Sequence, residues 1–265
     1  MTRTRTALAA VALLALSATA AGCKAGETTT TESGVNVIKD GKLTVCTSLP
    51  YQPFEFEKEN EIVGFDIDLM DKVAAANDLE VHVVVTAFEG IQSGQSLNTG
   101  QCDVAAAGMT ITPERQKVID FSDPYFEATQ ALLTKDKKYD SLESLSGKTL
   151  GVQSGTTGQM YAEENAPKDV ELKVFENLGL ETTAVKTGQV DAAIQDNGPL
   201  LDYVKTNPDT FVTAEFNTGE EYGFAVKKDG NDKLLESINQ VIADAKSSGD
   251  YDKIYEKWFG SAPKS

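Results

Sequence analysis

One pattern occurs twice in this chain and limits its architecture more than any other feature. Thr99-Gly100-Gln101-Cys102-Asp103-Val104-Ala105-Ala106 is echoed by Thr187-Gly188-Gln189-Val190-Asp191-Ala192-Ala193-Ile194. In each copy the glycine stands where a helix closes on a left-handed residue, and the apolar run after the aspartate reads as a short buried strand. A second echo sets Gly41-Lys42 before the β-rich run Leu43-Thr44-Val45-Cys46-Thr47, and Gly147-Lys148 before Thr149-Leu150-Gly151-Val152. The repeat occurs once and at unequal spacing, so it is no solenoid; it predicts two lobes of similar α/β plan. Apolar residues at helical spacing mark helices over 66–75, 89–97, 156–165 and 180–186, while 81–85, 172–175 and 222–226 read as strands. Strands separated by helices predict mainly parallel sheets with right-handed crossovers. Two amphipathic helices, 232–246 and 251–259, follow the last strand.

In open α/β sheets ligands sit beyond the carboxyl ends of the strands. The residues where the runs stop are Ser48 to Tyr51, Gly108 to Thr112, Gln153 to Thr157, and Gln195-Asp196. Two lobes that each present such an edge enclose a cleft. In Gly108-Met109-Thr110-Ile111-Thr112-Pro113-Glu114-Arg115, Thr112 suits a helix N-cap, Pro113 the first helical position and Glu114 the first turn. Arg115 then lies where the helix dipole disfavours a cation, which points to an anion that a guanidinium grips bidentately. The alternative is a surface arginine or a structural ion pair. On the other lobe, Gly151 to Gly158 is a glycine-rich turn into a helix, whose free amides and Thr156 and Thr157 hydroxyls suit an anionic group. It lacks the Gly-Lys-[Ser/Thr] ending of a P-loop, so no nucleotide is expected. Asp196 ends the echoed strand and offers a carboxylate to an ammonium; the alternative is a solvated loop acid. Tyr51 and Phe88 suit the walls of a pocket that faces a cation. Phe54 and Trp258 read as core residues, and His82 as structural or surface-facing. An anion grip and a cation grip on opposite lobes fit a zwitterion with an α-carboxylate and an α-ammonium, which is an amino acid.

Composition narrows the alternatives. The 265 residues carry a net charge of −17 with no basic run, which argues against nucleic acid as a partner. One His and three Cys supply little for zinc, haem or iron–sulfur sites, so neither metal nor cofactor is expected. Residues 1–22, with Arg3 and Arg5 before an apolar stretch, read as a signal peptide. Ala20-Ala21-Gly22 before Cys23 resembles a bacterial lipobox, in which the cysteine is lipidated, although Ala20 stands where that motif prefers leucine. An ordinary signal peptide with a leftover thiol is the alternative. Removing 1–22 takes two arginines and no acid, and moves the net charge from −17 to −19. Residues 23–38 read as a flexible tether. Cys46 and Cys102 either pair in an oxidising compartment or serve as two small buried apolar side chains.

Five segments together carry a family resemblance: Tyr51-Gln52-Pro53-Phe54-Glu55-Phe56, Gly64-Phe65-Asp66-Ile67-Asp68-Leu69, the Gly108–Arg115 segment, Asp120-Phe121-Ser122-Asp123-Pro124-Tyr125 and Lys257-Trp258-Phe259-Gly260. The chain from about Lys39 to Gly260 resembles the family 3 extracellular solute-binding proteins, the amino-acid receptors of ABC importers. The resemblance implies a type II periplasmic-binding-protein-like α/β fold, with lobe 1 over 39–126 and 224–265 and lobe 2 over 127–223. A two-strand hinge near 125–129 and 221–223 would close the lobes on one amino acid. It implies that Arg115 takes the α-carboxylate, helped by the backbone and hydroxyl of Thr110 and the amide of Thr157. Gly108 and Asp196 would take the ammonium, and Tyr51 and Phe88 would sandwich the ligand. Met109, Thr156, Ser48 and Gln153 complete the expected set. Some relatives carry Asp where Ser48 stands and Lys where Gln153 stands, so a neutral polar or basic ligand is expected here, with Glu55 or Glu89 as acids for a basic group. The expected partners are a free amino acid, an ABC permease with its ATPase, and a membrane reached through a lipid anchor on an exported monomer. A cyclohexadienyl dehydratase-like enzyme on the same scaffold is the alternative, for which no histidine is available as general acid in the cleft. A sensory or surface lipoprotein is a third reading.

Overall fold

The computed structural model of the protein describes residues 28–261. The expected signal peptide and the Cys23 lipidation site therefore lie outside the described residues. Two five-stranded mixed sheets form the two lobes. In the first, β3 (Lys42–Thr47) pairs in parallel with β6 (Glu80–Val85) and β7 (Val104–Ala105), and β14 (Ala225–Lys227) runs antiparallel between β7 and β8 (Ile119–Phe121). In the second, β10 (Thr149–Gln153) pairs in parallel with β11 (Glu171–Phe175) and β12 (Ala192–Asp196). There β9 (Phe126–Thr134) runs antiparallel to both β12 and β13 (Phe211–Tyr222). The parallel trio in each lobe matches the expected crossovers. The antiparallel members arise because the chain leaves one lobe along β9 and returns along β13.

Several local signals are realised as the residues dictate. The expected helix over 66–75 is α1 (Phe65–Ala75), which turns Phe65, Ile67, Leu69, Met70 and Val73 into the core and keeps Asp66 and Asp68 in its first turn. Gly188 closes α6 (Leu178–Thr187) in the left-handed conformation, φ 76°. The expected helix over 89–97 is instead two, α2 (Phe88–Gln92) and α3 (Gln95–Asn98), because Gly94 at φ 75° breaks the run. The expected strand over 222–226 is likewise divided between β13 and β14. α7 (Asn197–Thr206) follows β12 without a break, a helix the periodicity did not single out. The closing helices α8 (Asp232–Ser248) and α9 (Asp250–Phe259) pack on α1, so the chain's end belongs to the first lobe.

Residues 28–38 are not a free tether. β1 (Thr29–Thr30) and β2 (Asn36–Val37) pair antiparallel, and Val35 and Val37 are buried in the core. The Ile38 N–H donates to Asp103 Oδ1 at 2.8 Å, and the Ser33 hydroxyl to Asn77 Oδ1 at 2.8 Å. The polar composition of the segment concealed two valines at alternate positions, which is enough to dock it. Cys46 and Cys102 are joined as a disulfide between β3 and the start of β7, closing a loop across 56 positions of sequence.

Beneath the cleft lies a pair of buried acids. Asp66 Oδ2 accepts the Gly108 N–H at 3.0 Å and the Tyr125 hydroxyl at 2.8 Å, and its carboxyl faces that of Glu55 closely enough for each to shift the other. Burial pushes Glu55 well above the carboxylate range, with the Asp66 charge adding to it, and burial pushes Asp66 up to about 7. The pair therefore holds a proton at neutral pH. A carboxyl raised in the folded state contributes stability that is complete below its unfolded pKa, 3.8, and lost as pH rises through about 7. In Asp66→Asn the amide oxygen keeps both accepted bonds and the NH2 donates to Glu55. The stability difference between variant and wild type should shift in the variant's favour as pH rises, by up to about 1.4 kcal/mol per unit across that window. Urea unfolding at pH 5 and pH 8 measures it; a pH-independent difference contradicts the shared proton.

Candidate ligand-binding site between the lobes

The strand ends converge on one cavity of about 380 Å³, mouth included, between the lobes. The first lobe contributes Ser48, Tyr51, Glu55, Phe88, Gly108, Thr110 and Arg115, and the second Gln153, Thr156, Thr157, Asn177, Gln195 and Asp196. Of the residues expected from sequence, Met109 and Glu89 are absent from the lining; the Met109 case is one of backbone geometry. The Met109 side chain packs with Phe88, Ile91, Ala105 and Ile119 in the core, because backbone alternation turns it away from its neighbours Gly108 and Thr110. Gly108 has φ +48°, and a Cβ there would stand 2.5 Å from the Tyr51 ring, so only glycine lets this loop and that ring approach.

Arg115 sits on α4 (Pro113–Gln116), whose N-cap Thr112 accepts the Arg115 N–H as its sequence predicts. The side chain is 3% exposed. Nη1 donates to the Thr110 carbonyl at 2.7 Å and Nη2 to the Gly155 carbonyl of the opposite lobe at 3.0 Å, while Nε has no partner. The guanidinium lies over the Phe88 ring, 5.2 Å from its centroid. Among the described residues no acid is in ion-pair contact with it. Burial pulls its pKa down, opposed by the negative potential of Asp196 and Glu220. A buried cation with a donor to spare and no described counter-ion has the chemistry to receive an anion.

Asp196 faces the same cavity at the end of β12. Its Oδ2 accepts the Tyr51 hydroxyl at 2.7 Å and also the Tyr222 hydroxyl, and its Oδ1 accepts Gln130 Nε2. A carboxylate offers about four acceptor positions, so one is left for a further donor. Burial pushes Asp196 up to about 6, with the charge of Glu220 adding to it and the three donors opposing it.

The remaining wall is neutral and polar. Gln195 Nε2 donates to Gln153 Oε1 at 3.0 Å, and Asn177 caps α6 by accepting the Leu180 N–H at 3.0 Å. Thr156 is the N-cap of α5 (Thr157–Asn165), where its hydroxyl accepts the Gln159 N–H at 3.1 Å and donates to the Gln153 carbonyl at 2.8 Å. Behind Gln195 lies Glu181, fully buried and raised well above its usual range by that burial. Glu55, whose usual place is solvent, is instead wholly buried in the cavity wall, whereas Glu89 accepts the Ser154 hydroxyl at 3.2 Å across the rim. Asn177 was missed by sequence reasoning, although it follows the end of a strand and precedes a helical run. The Thr110 hydroxyl, expected to help hold an anion, donates to Glu220 Oε2 at 2.9 Å, which leaves the Thr110 backbone and Arg115 for that task.

Comparison with known proteins places the chain in a family. Residues 43–261 match the model of the bacterial extracellular solute-binding proteins, family 3. An ABC transporter arginine-binding protein 1 of Escherichia coli is 34% identical over 82% of this chain and 90% of its own length. The ABC transporter glutamine-binding protein GlnH of Bacillus subtilis is 40% identical over 77% of this chain and 75% of its own length. Among solved structures, an ancestral arginine-binding protein bound to glutamine superposes with a TM-score of 0.79 at 45% identity, covering 84% of this chain and 100% of that one. The chain belongs to the family 3 extracellular solute-binding proteins.

Proposed function

We propose that the protein captures one polar L-amino acid, neutral or basic in its side chain, and delivers it to an ABC permease. The observation that carries this reading is buried Arg115, in contact with no described acid, sharing one cavity with the hydrogen-bonded but unsaturated Asp196. The α-carboxylate lies against Arg115 and the Thr110 and Thr157 backbone, the α-ammonium against Asp196 and the Gly108 carbonyl, and the side chain reaches Ser48, Gln153, Asn177 and Gln195. This wall supplies no cation for an acidic side chain, whereas the Gln153, Asn177 and Gln195 amides and the Ser48 hydroxyl offer neutral donors and acceptors to a polar one. The relatives named for arginine and glutamine support the same range. The leader and Cys23 support export with a lipid anchor. The boundaries of the two lobes, with the crossings after Phe121 and after Tyr222, support closure by hinge rotation.

One observation bears on the dehydratase alternative: Glu55, kept protonated by burial, is a carboxylic acid in the cavity wall. Receptor and enzyme are separated by incubation with prephenate and arogenate, where the receptor reading expects no turnover.

A thermal-shift screen over the common amino acids should raise the melting midpoint for a polar neutral or basic subset, since ligand bound only to the native state stabilises it. Arg115→Ala should lose about 2–5 kcal/mol of binding while its circular dichroism stays native; a loss of less than about 1 kcal/mol relative to wild type in calorimetry contradicts the carboxylate grip. The pH dependence has a defined sign. An ammonium beside Asp196 lowers its pKa from about 6, so binding releases a proton and affinity falls as pH drops below 6. Calorimetry at pH 6 in two buffers of different ionisation enthalpy should show net proton release; proton uptake or none contradicts the ammonium contact.

A further inference from the structure

The hinge strands carry two polar residues outside the cavity lining, Gln130 and Glu220, that reach residues of the lining. β13 loses register with β9 between Phe216 and Glu220, and pairing resumes at Glu220 opposite Ala128. The bulge, with Gly219 at φ +64°, returns Glu220 to the strand two residues before Tyr222, so the two side chains lie on the same, cleft-facing side. One carboxylate oxygen, Glu220 Oε2, accepts a hydroxyl from each lobe: Thr110 Oγ1 at 2.9 Å and Thr157 Oγ1 at 2.9 Å. The two hydroxyl oxygens stand 3.5 Å apart. Gln130 Nε2, from the other hinge strand, lies 3.1 Å from both Glu220 oxygens and also reaches Asp196 Oδ1.

A carboxylate only accepts, so both hydroxyl hydrogens point at Glu220. That oxygen is a bridge between the lobes which exists only while Thr110 and Thr157 are together. Hinge opening separates them and breaks one of two charge-assisted hydrogen bonds. We infer that Glu220 is a closure clasp: a positioning residue that stabilises the closed arrangement from the hinge side, through Thr110 and Thr157, independently of the bound amino acid's side chain. The inference deepens the receptor reading and rests on it for the role of closure. A clasp acts on the open–closed equilibrium common to every ligand, so its loss scales all apparent affinities by one factor. A residue that read the ligand's side chain would instead change the ratio between ligands.

The test compares wild type, Glu220→Ala and Glu220→Gln in two measurements. Single-pair fluorescence between labels on the two lobes, without amino acid, should show a smaller closed fraction in Glu220→Ala, with Glu220→Gln between it and wild type. Calorimetry with L-arginine and L-glutamine should show both affinities weakened by the same factor, about tenfold for the loss of a hydrogen bond to a charged group. In a Thr110→Val/Thr157→Val background, adding Glu220→Ala should leave the closed fraction unchanged. The clasp is overturned by an unaltered closed fraction in both Glu220 variants, by a changed arginine-to-glutamine ratio, or by an undiminished Glu220→Ala effect in the double-valine background. The fluorescence arm needs no ligand, so failure of both amino acids to bind would count against the receptor reading and leave the clasp to be judged by closure alone.

Discussion

The structure is organised around a cation that no acid among the described residues contacts. Burying a guanidinium without a carboxylate is costly, and proteins normally pair or hydrate such a group. Here two backbone carbonyls, Thr110 and Gly155, and the Phe88 ring hold Arg115 in place without cancelling its charge. Its nearest acids, Asp196 and Glu220, are felt as potential but do not touch it. An anion brought into the cavity relieves that imbalance, and an ammonium on the same molecule relieves the complementary one at Asp196. Under the proposed function, selectivity for a zwitterion would follow from these two opposite defects lining one cavity.

The fold's task is to keep those defects apart and dry. Arg115 is delivered by a short capped helix of the first lobe, Asp196 by the end of a buried strand of the second, and the hinge strands β9 and β13 fix their relation. The loop between them depends on a chain of buried contacts: Asp66 holds the Gly108 N–H and the Tyr125 hydroxyl, and Tyr125 stacks on Phe224, their ring centroids 4.1 Å apart. Cavity floor and hinge are thereby one packed unit.

Much of this was legible in the sequence. Strand ends followed by glycine and capping residues marked Ser48, Gly108, Thr110, Gln153, Thr157 and Asp196, because the backbone chemistry that ends a strand also opens its edge to ligand. Thr112 and Pro113 fixed the start of α4 and hence the place of Arg115. What escaped notice depends on tertiary burial that local pattern does not encode. Glu55 looks solvated beside Glu57 and Lys58, yet it is folded under the cavity against Asp66. Gln130 and Glu220 lie in strands whose bulged register places them in the cleft. Met109 was included by adjacency, and the alternation of an extended segment sent it into the core. Val35 and Val37 were hidden by the polar residues around them.

The central claim is that one small molecule is held by its two opposite charges, and it is tested most directly by removing one charge at a time from the ligand. Calorimetry would compare the tightest-binding amino acid with its decarboxylated amine and its des-amino acid, side chain unchanged. The account predicts that each loses about a hundredfold or more, because each leaves a buried protein charge without its partner. Binding of either analogue within about threefold of the parent, well under 1 kcal/mol, would contradict it.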